Sequence, residues 1–258
     1  MSPAIKKICF NLDRELILVY INFIMKNYLL PASILVAAVL ISGSVIYTSS
    51  VKKQTTGLID TNKNGDPEVF LDVADDDIVL GEKNAPVTVV VYSDPSCPFC
   101  GAAAGGNKEV MDYLKQGDSS WTPPVPGMIK DYVNAGKAKI VFRYFPGHGL
   151  GETATKILYC ANEQGKFWQL HDEFFDNQDL MENVPALKKI AGDVGVNINE
   201  LNSCLSESWP AEKLAKDTES GRALGVKGTP AFFVNGTKLE GAYSFSKFKM
   251  IIDSLLEE

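Results

Sequence analysis

The sequence predicts an α/β domain with a mixed central sheet flanked by helices, an inserted α-helical domain and one preceding transmembrane helix. Three observations support this prediction. Residues 28–47 form an uncharged apolar run. Residues 87–91 and 137–145 have the composition of buried strands, with a helical segment between them. Residues 229–243 have a strand–turn–strand pattern, and an amphipathic helix pattern follows them.

Length and charge limit the class of protein. The chain has 258 residues, of which 45% are apolar, which is enough for one sizeable core or two small ones. The net charge is −7, and the first 47 residues carry four basic and two acidic side chains, so the remainder carries −9. Nucleic-acid binding needs a basic surface, so we expect no nucleic-acid partner.

The apolar run predicts a membrane span. At about 1.5 Å per residue, residues 28–47 cross the ~30 Å hydrocarbon core of a bilayer. The run is longer than the apolar part of most signal peptides and shows no convincing cleavage site, so an uncleaved signal-anchor is favoured over a cleaved signal. Basic residues before the span predict that residues 1–27 are a cytoplasmic leader and that the rest of the chain is extracytoplasmic. Met25 is an alternative start of translation.

Residues 48–77 are polar and predict a linker between the span and the domain. Four of them match the first half of a calcium-binding loop: Asp60, Asn62, Asn64 and Gly65. The twelfth position holds Leu71 where that loop needs glutamate, and no helix pattern flanks the segment. A solvated linker with an Asn–Gly turn is therefore favoured, and we expect no metal or organic cofactor.

The domain itself spans residues 78–258. Residues 100–117 predict one helix that begins at a pair of cysteines, and the proline-rich residues 119–128 predict a loop. Residues of about 150–224 show several helical segments separated by glycines, and they predict the inserted helical domain. Asn235 and Gly236 predict the turn of the later hairpin.

The cysteine pair has three interpretations. Cys97 and Cys100 are separated by Pro98 and Phe99. A zinc site usually needs four ligands, whereas the remaining cysteines and histidines beyond the span are all isolated in sequence: Cys160, Cys204, His148 and His171. A purely structural disulfide would close a very small loop and so stabilise the fold little. A redox-active dithiol is the favoured interpretation.

The position of the pair supports redox chemistry. Cys97 follows a predicted strand and begins a helix, where unpaired backbone N–H groups and the helix dipole stabilise a thiolate. Pro98 suits the first helical position, which needs no N–H donor. Cys97 is therefore the predicted nucleophile, and Cys100, one turn later, is the predicted resolving cysteine.

Three stretches, residues 80–100, 159–175 and 225–242, resemble the DsbA-like thiol–disulfide oxidoreductases of bacterial envelopes, which belong to the thioredoxin superfamily. The resemblance covers roughly residues 78–256 and implies a thioredoxin fold with a helical insertion. It implies that Pro230 is a cis-proline facing the dithiol, with Thr229 before it. It also makes Asp94 a candidate proton relay to the dithiol, the alternative being an aspartate that supports the loop.

The resemblance also implies an activity and partners. It predicts an extracytoplasmic, monomeric enzyme that oxidises the thiols of folding proteins and is re-oxidised by a membrane partner of the DsbB or VKOR kind. The Pro–Phe dipeptide replaces the Pro–His of the most oxidising members, so a less oxidising couple is expected. Two alternatives stay open: a reductase or isomerase with the same dithiol, and a tethered peptide-binding chaperone with a structural cysteine pair.

The remaining cysteines and histidines have simpler interpretations. Cys160 and Cys204 lie on apolar faces of predicted helices, and in an oxidising compartment a second disulfide is favoured over two buried thiols. His148 lies in a glycine-rich loop that could approach the site. His171, at helical spacing among aromatic residues, is interpreted as structural.

Overall fold

The computed structural model describes residues 59–61, 67–69, 71 and 73–257. The predicted leader and the predicted span, residues 1–27 and 28–47, lie outside this part of the chain. Within it, no helix combines the length and the apolar character that crossing a bilayer requires.

A central sheet of five strands organises the described part of the chain. Two further strands, β1 and β2, pair antiparallel within the predicted linker, which the sequence pattern did not predict. The strands are β1 (Ile59–Thr61), β2 (Pro67–Val69), β3 (Ile78–Leu80), β4 (Val87–Ser93), β5 (Ala138–Tyr144), β6 (Ala231–Val234) and β7 (Thr237–Glu240).

The order of strands in the central sheet is β3-β5-β4-β6-β7. Strands β4 and β5 run parallel, with Val87 opposite Ala138, and the other neighbouring pairs are antiparallel. The predicted mixed sheet flanked by helices is therefore confirmed. Because β4 lies at the centre of the sheet, the loop that follows it is surrounded by other elements, and this loop leads to the cysteine pair.

Strand β4 is apolar along its whole length because both of its faces are buried. Val89 and Val91 point into one hydrophobic cluster, and Val90 and Tyr92 point into a second cluster on the opposite face. Side chains alternate between the two faces of a strand, so a sheet covered on both sides selects an unbroken β-branched run.

Nine α-helices surround the sheet in the described residues. They are α1 (Pro98–Ala104), α2 (Lys108–Gly117), α3 (Pro124–Met128), α4 (Glu152–Asn162), α5 (Phe167–Asp176), α6 (Val184–Asp193), α7 (Ile198–Leu205), α8 (Trp209–Ala223) and α9 (Phe245–Glu257).

The single helix predicted for residues 100–117 is wrong, because the structure has two helices there. Gly105 adopts a left-handed conformation, with φ of 96°, and its N–H closes the last turn of α1 on Gly101 and Ala102. Asn107 then begins α2, and its side chain accepts a hydrogen bond from the N–H of Val110. Glycine tolerates this backbone conformation and asparagine is a favoured N-cap, so Gly105 ends α1 and Asn107 begins α2.

The loop predicted for residues 119–128 is also wrong in its second half. Pro124 begins α3, and a π-helical turn, Ile129–Val133, continues it. Prolines in the first turn of a helix cost little because the N–H groups there have no helical acceptor. The segment is ordered by burial, since Met128 and Tyr132 are almost completely enclosed by the core.

Helices α4 to α8 lie between β5 and β6 in sequence. A disulfide joins Cys160 in α4 to Cys204 in α7, 44 residues apart in sequence. Closing a loop of this size stabilises a fold by roughly 2–4 kcal/mol in the chain-entropy model. At the other end of the domain, Asn235 and Gly236 both have positive φ and form the tight turn between β6 and β7.

Candidate functional site

The cysteine pair lies where the central strand of the sheet gives way to a helix. Strand β4 ends at Ser93, and Cys97 is the N-cap of α1, with an extended backbone at φ −82° and ψ 117°. Pro98 occupies the first helical position. An N-cap side chain lies next to the unpaired N–H groups at the start of its helix, so this position suits a negatively charged sulfur.

A second segment, distant in sequence, meets the nucleophile. Sγ of Cys97 donates to the main-chain carbonyl oxygen of Thr229 over 3.3 Å. The peptide bond between Thr229 and Pro230 is cis. The hydroxyl of Thr229 is buried and has no hydrogen-bond partner among the described residues. The structure thus brings the predicted nucleophile, Cys97, together with Thr229 and Pro230, the two residues that the resemblance placed opposite the dithiol.

The environment of Cys97 favours its thiolate. A hydrogen bond from the thiol of Cys100 is the largest cause, and it lowers the pKa of Cys97 to about 6 against the opposing effect of burial. The Thr229 hydroxyl and the N–H groups of Cys100 and Phe99 lower this pKa further. At neutral pH, Cys97 is therefore largely ionised.

The environment of Cys100 favours its thiol. Complete burial raises the pKa of Cys100 well above its ordinary value, and the neighbouring Cys97 sulfur raises it further. The side chain of Ser93 and the N–H of Asp94 oppose these effects only in part. The pair thus holds one thiolate and one thiol at neutral pH, which is the charge state that disulfide exchange requires.

Asp94 is completely buried and supports two loops. One carboxylate oxygen accepts hydrogen bonds from the N–H and the hydroxyl of Ser96, and the other accepts from the N–H groups of Gly147 and His148. Among the described residues, no hydrogen bond joins this carboxylate to the sulfur of Cys97 or Cys100. The geometry agrees with the loop-supporting alternative, and the proton relay stays a prediction.

The two histidines occupy different environments. His148 is exposed in the loop that Asp94 holds, and its main chain, not its ring, contacts the site. His171 is buried and packs against Phe175 and Trp168. It also lines a cavity of about 10 Å³ next to Cys100, shared with Ser93 and Pro230. Such a volume has room for about one water molecule.

The sequence analysis missed Ser93 and Gln178. Ser93 contacts Cys100 because β4 continues two residues beyond the predicted strand. Gln178 lies in a short 3₁₀ helix (Gln178–Leu180) after α5, and its side chain reaches the backbone of the Cys97 segment. No sequence pattern marks either contact, since both depend on where distant elements pack.

The rim of the site is partly apolar. Phe99 is 40% exposed beside the nucleophile, and Leu150 is 49% exposed in the loop that Asp94 anchors. The described part of the chain contains no group of three or more histidine, cysteine, aspartate or glutamate side chains arranged to hold a metal ion.

A family model described as thioredoxin matches residues 73–118 and 119–254, which cover most of the chain. The chain belongs to the thioredoxin family. The match includes the cysteine pair, the helical insertion and the Thr229–Pro230 segment.

Several curated proteins are similar to this thioredoxin-family chain. Two are Na⁺/H⁺ antiporters of the NhaA type from Salinispora tropica and Salinispora arenicola, 29% and 28% identical over 201 residues. Both alignments cover 77% of this chain but only 26% of the antiporter, so the chain spans about a quarter of their length. A protein of Rickettsia bellii with the provisional name of protein-disulfide oxidoreductase is 28% identical over 196 residues, covering 74% of this chain and 69% of that protein.

Two solved structures with the same fold come from bacterial proteins. The oxidised form of BdbD from Bacillus subtilis superposes with a TM-score of 0.58 at 22% identity, covering 71% of this chain and 94% of BdbD. The alpha-DsbA1 protein of Wolbachia pipientis gives a TM-score of 0.58 at 20% identity, covering 71% and 92% of the two chains. The fold is therefore DsbA-like.

Proposed function

We propose that this protein is a thiol–disulfide oxidoreductase that introduces disulfide bonds into folding proteins outside the cytoplasm. The observation that carries the proposal is the pairing of a low-pKa thiol, Cys97, with a buried high-pKa thiol, Cys100, beside the carbonyl oxygen of Thr229. The name of the Rickettsia relative supports the same reaction class.

The two sulfurs divide the proposed reaction between them. In the oxidised enzyme, a substrate thiolate attacks Sγ of Cys97, the bond between Cys97 and Cys100 breaks, and Cys100 leaves and takes up a proton. A second substrate thiolate then attacks the substrate sulfur of the mixed disulfide, and Cys97 leaves as a thiolate. The substrate loses two electrons and two protons and gains a disulfide. The enzyme gains the two electrons, Cys100 takes one proton, Cys97 stays a thiolate, and the second proton passes to solvent.

The low pKa of Cys97 supports the oxidising direction. A thiol with a low pKa is a good leaving group, and stabilising its thiolate stabilises the reduced enzyme. The reduced enzyme is the product of substrate oxidation, so the equilibrium shifts toward disulfide donation. Phe99 supplies no charge beside the nucleophile, which agrees with a couple less oxidising than the extreme of about −120 mV.

The setting is part of the proposal. The uncharged run of residues 28–47 would anchor the chain in the cell membrane and leave the domain on the extracytoplasmic side. A membrane oxidant of the DsbB or VKOR kind would restore the Cys97–Cys100 disulfide. Protein thiols would reach Cys97 past the exposed apolar side chain of Phe99, which suits unfolded segments.

The redox equilibrium of the purified full-length chain with glutathione buffers tests the direction. We expect a potential above about −200 mV, together with oxidation of a reduced, unfolded secreted protein by stoichiometric enzyme. A potential near or below about −250 mV would instead mean a reductant or isomerase. Cys100→Ser should accumulate the mixed disulfide, and Cys97→Ser should abolish exchange. If Cys97→Ser keeps full activity on unfolded proteins, the chain is a binding module instead.

A further inference from the structure

One polar side chain of the helical insertion, that of Gln178, hydrogen-bonds to the backbone of the nucleophile. Nε2 of Gln178 donates to the carbonyl oxygen of Pro95 over 2.8 Å and to that of Cys97 over 2.9 Å. Its Oε1 accepts from Nδ2 of Asn107 over 2.8 Å. A single amide thus joins the loop before α1, the N-cap of α1 and the N-cap of α2.

The active-site helix leaves room for this amide. Gly101 lies one turn after Cys97, and a Cβ atom at this position would collide with the side-chain oxygen of Gln178. Gly101 is helical and has no positive φ, so its backbone conformation does not require glycine. The close approach of Gln178, together with Cβ of Asn107, leaves no room for a side chain at this position.

The two carbonyl groups held by Gln178 control the geometry around the sulfur. An N-cap residue accepts N–H bonds with its side chain only while its own backbone stays extended. The N–H groups of Phe99 and Cys100, the second and third residues of α1, lower the pKa of the Cys97 sulfur. The amide of Gln178 also offsets the partial negative charge of the Cys97 carbonyl, which would otherwise repel a thiolate in the same residue.

We propose that Gln178 is a positioning residue of the redox site, through which the helical insertion holds the Cys97 backbone in its cap conformation and stabilises the thiolate. The proposal rests on the proposed redox function of Cys97. It makes the insertion an element that tunes the cysteine pair, since Gln178 is 81 residues from Cys97 in sequence. Gln178 contacts no reacting atom and acts only through the main chain.

The test measures thiolate formation at Cys97 directly. The full-length chain, purified in detergent and reduced, is alkylated with iodoacetamide across a pH series, and mass spectrometry quantifies the modified Cys97 peptide. In Gln178→Met, we expect the midpoint to rise, with a rate at pH 6 roughly 3- to 10-fold lower than in the wild type. Gln178→Glu should show at least this loss, because a carboxylate repels the two carbonyl oxygens and opposes the thiolate.

Matched controls separate positioning from general stability. Gln169 lies in the same insertion and is exposed in α5, so Gln169→Glu adds the same charge and should keep the wild-type alkylation profile. The thermal unfolding of each variant is measured alongside. If the Gln178 variants lose stability but keep the wild-type profile, Gln178 is merely structural and the proposal is wrong.

Two further safeguards keep the result decisive. Gln178→Glu is nearly isosteric and can keep the bond from Asn107, so it decides the question if Gln178→Met does not fold. If the wild-type chain fails to exchange with glutathione, the proposed redox function is wrong. The Cys97 alkylation profiles of wild type and variants still decide whether Gln178 stabilises the thiolate, so the two failures are distinguishable.

Discussion

Two identical side chains, Cys97 and Cys100, lie three residues apart and differ in the direction in which their surroundings shift their pKa values. The Cys100 thiol, the Thr229 hydroxyl and the first N–H groups of α1 lower the pKa of Cys97 against the opposing effect of burial. Cys100 is enclosed behind Cys97 by Ser93, Pro230 and the aromatic side chains of the insertion. A cap position and a position one turn deeper in the same helix therefore produce the asymmetry that exchange needs.

This asymmetry predicts how the reduction potential depends on pH. Below pH 6 both thiols are protonated on reduction, so the potential should fall by about 59 mV per pH unit. Above the pKa of Cys97, about 6, reduction takes up one proton, and the slope should decrease to about 30 mV per pH unit. The measurement is the glutathione equilibrium from pH 5 to pH 8, corrected for the pH dependence of glutathione itself.

The sign of the associated stability change follows from the same shift. The folded pKa of Cys97 lies below its unfolded value of about 8.5, so the reduced form is stabilised above that value. This stabilisation is lost as the pH falls through about 6.

A single slope of the reduction potential of about 59 mV per pH unit up to pH 8 would contradict a lowered pKa of Cys97.

At the scale of elements, a buried group of charges joins the sheet to the insertion. Arg143 of β5 makes two hydrogen bonds with Asp77, which precedes β3. Lys213 of α8 lies 3.1 Å from Asp217 of the same helix and 3.8 Å from Asp77. Asp217 also accepts a bond from the hydroxyl of Tyr159 in α4. All four charged side chains are at most 8% exposed.

Neighbouring aspartates allow a matched test of this group. Asp77→Ala removes the acidic partner that lies near both Arg143 and Lys213, and we expect it to lower the free energy of unfolding by roughly 3–5 kcal/mol. Asp76 pairs with Lys216 at the surface, where the two side chains are 45% and 58% exposed. Asp76→Ala should therefore cost less than about 1 kcal/mol.

Urea unfolding of the oxidised chain measures both values. If Asp76→Ala and Asp77→Ala lower the free energy of unfolding by equally small amounts, the buried group contributes little to stability. In either case the potential of the cysteine pair should stay unchanged, because these charges lie among β3, β5, α4 and α8, away from the start of α1.

For the whole molecule, the proposed position relative to the membrane can be tested by labelling cysteines. The span predicted for residues 28–47 would separate the leader from the domain, and a cysteine on each side can report this separation. Cys9 is in the leader, and Ser119 is an exposed position of the domain at which a cysteine can be introduced. When Cys97 and Cys100 are replaced by serine, labelling of Cys9 reports the location of the leader, and labelling of the introduced cysteine reports the location of the domain.

We expect a membrane-impermeant maleimide to label the Ser119→Cys variant in intact cells and to label Cys9 only after the cells are opened. The reason is the positive charge before the span, which retains the leader in the cytoplasm. Labelling of the domain only after permeabilisation would refute the extracytoplasmic setting and with it the proposed substrates. Absence of a Cys9 peptide from the intact protein would instead agree with a start at Met25.

Patterns close together in sequence predicted much of the fold. The β-branched run of β4 and the Asn235–Gly236 turn are such patterns, because strand burial and turn chemistry act over a few residues. The break at Gly105 was missed because a small-residue run is compatible with a continued helix. Helix α3 was missed because prolines indicate a loop unless the packing around them is known.

The local chemistry could be read from short motifs: a Cys-Pro-Phe-Cys pair between a strand and a helix, and a Thr-Pro pair before a hairpin. The surroundings of the sulfurs depend on how distant segments pack. Thr229 meets Cys97 across 132 residues, and Gln178 reaches the same residue across 81 residues. Contacts at such separations depend on strand order and on how the insertion packs, because short-range propensities carry no information about partners distant in the chain.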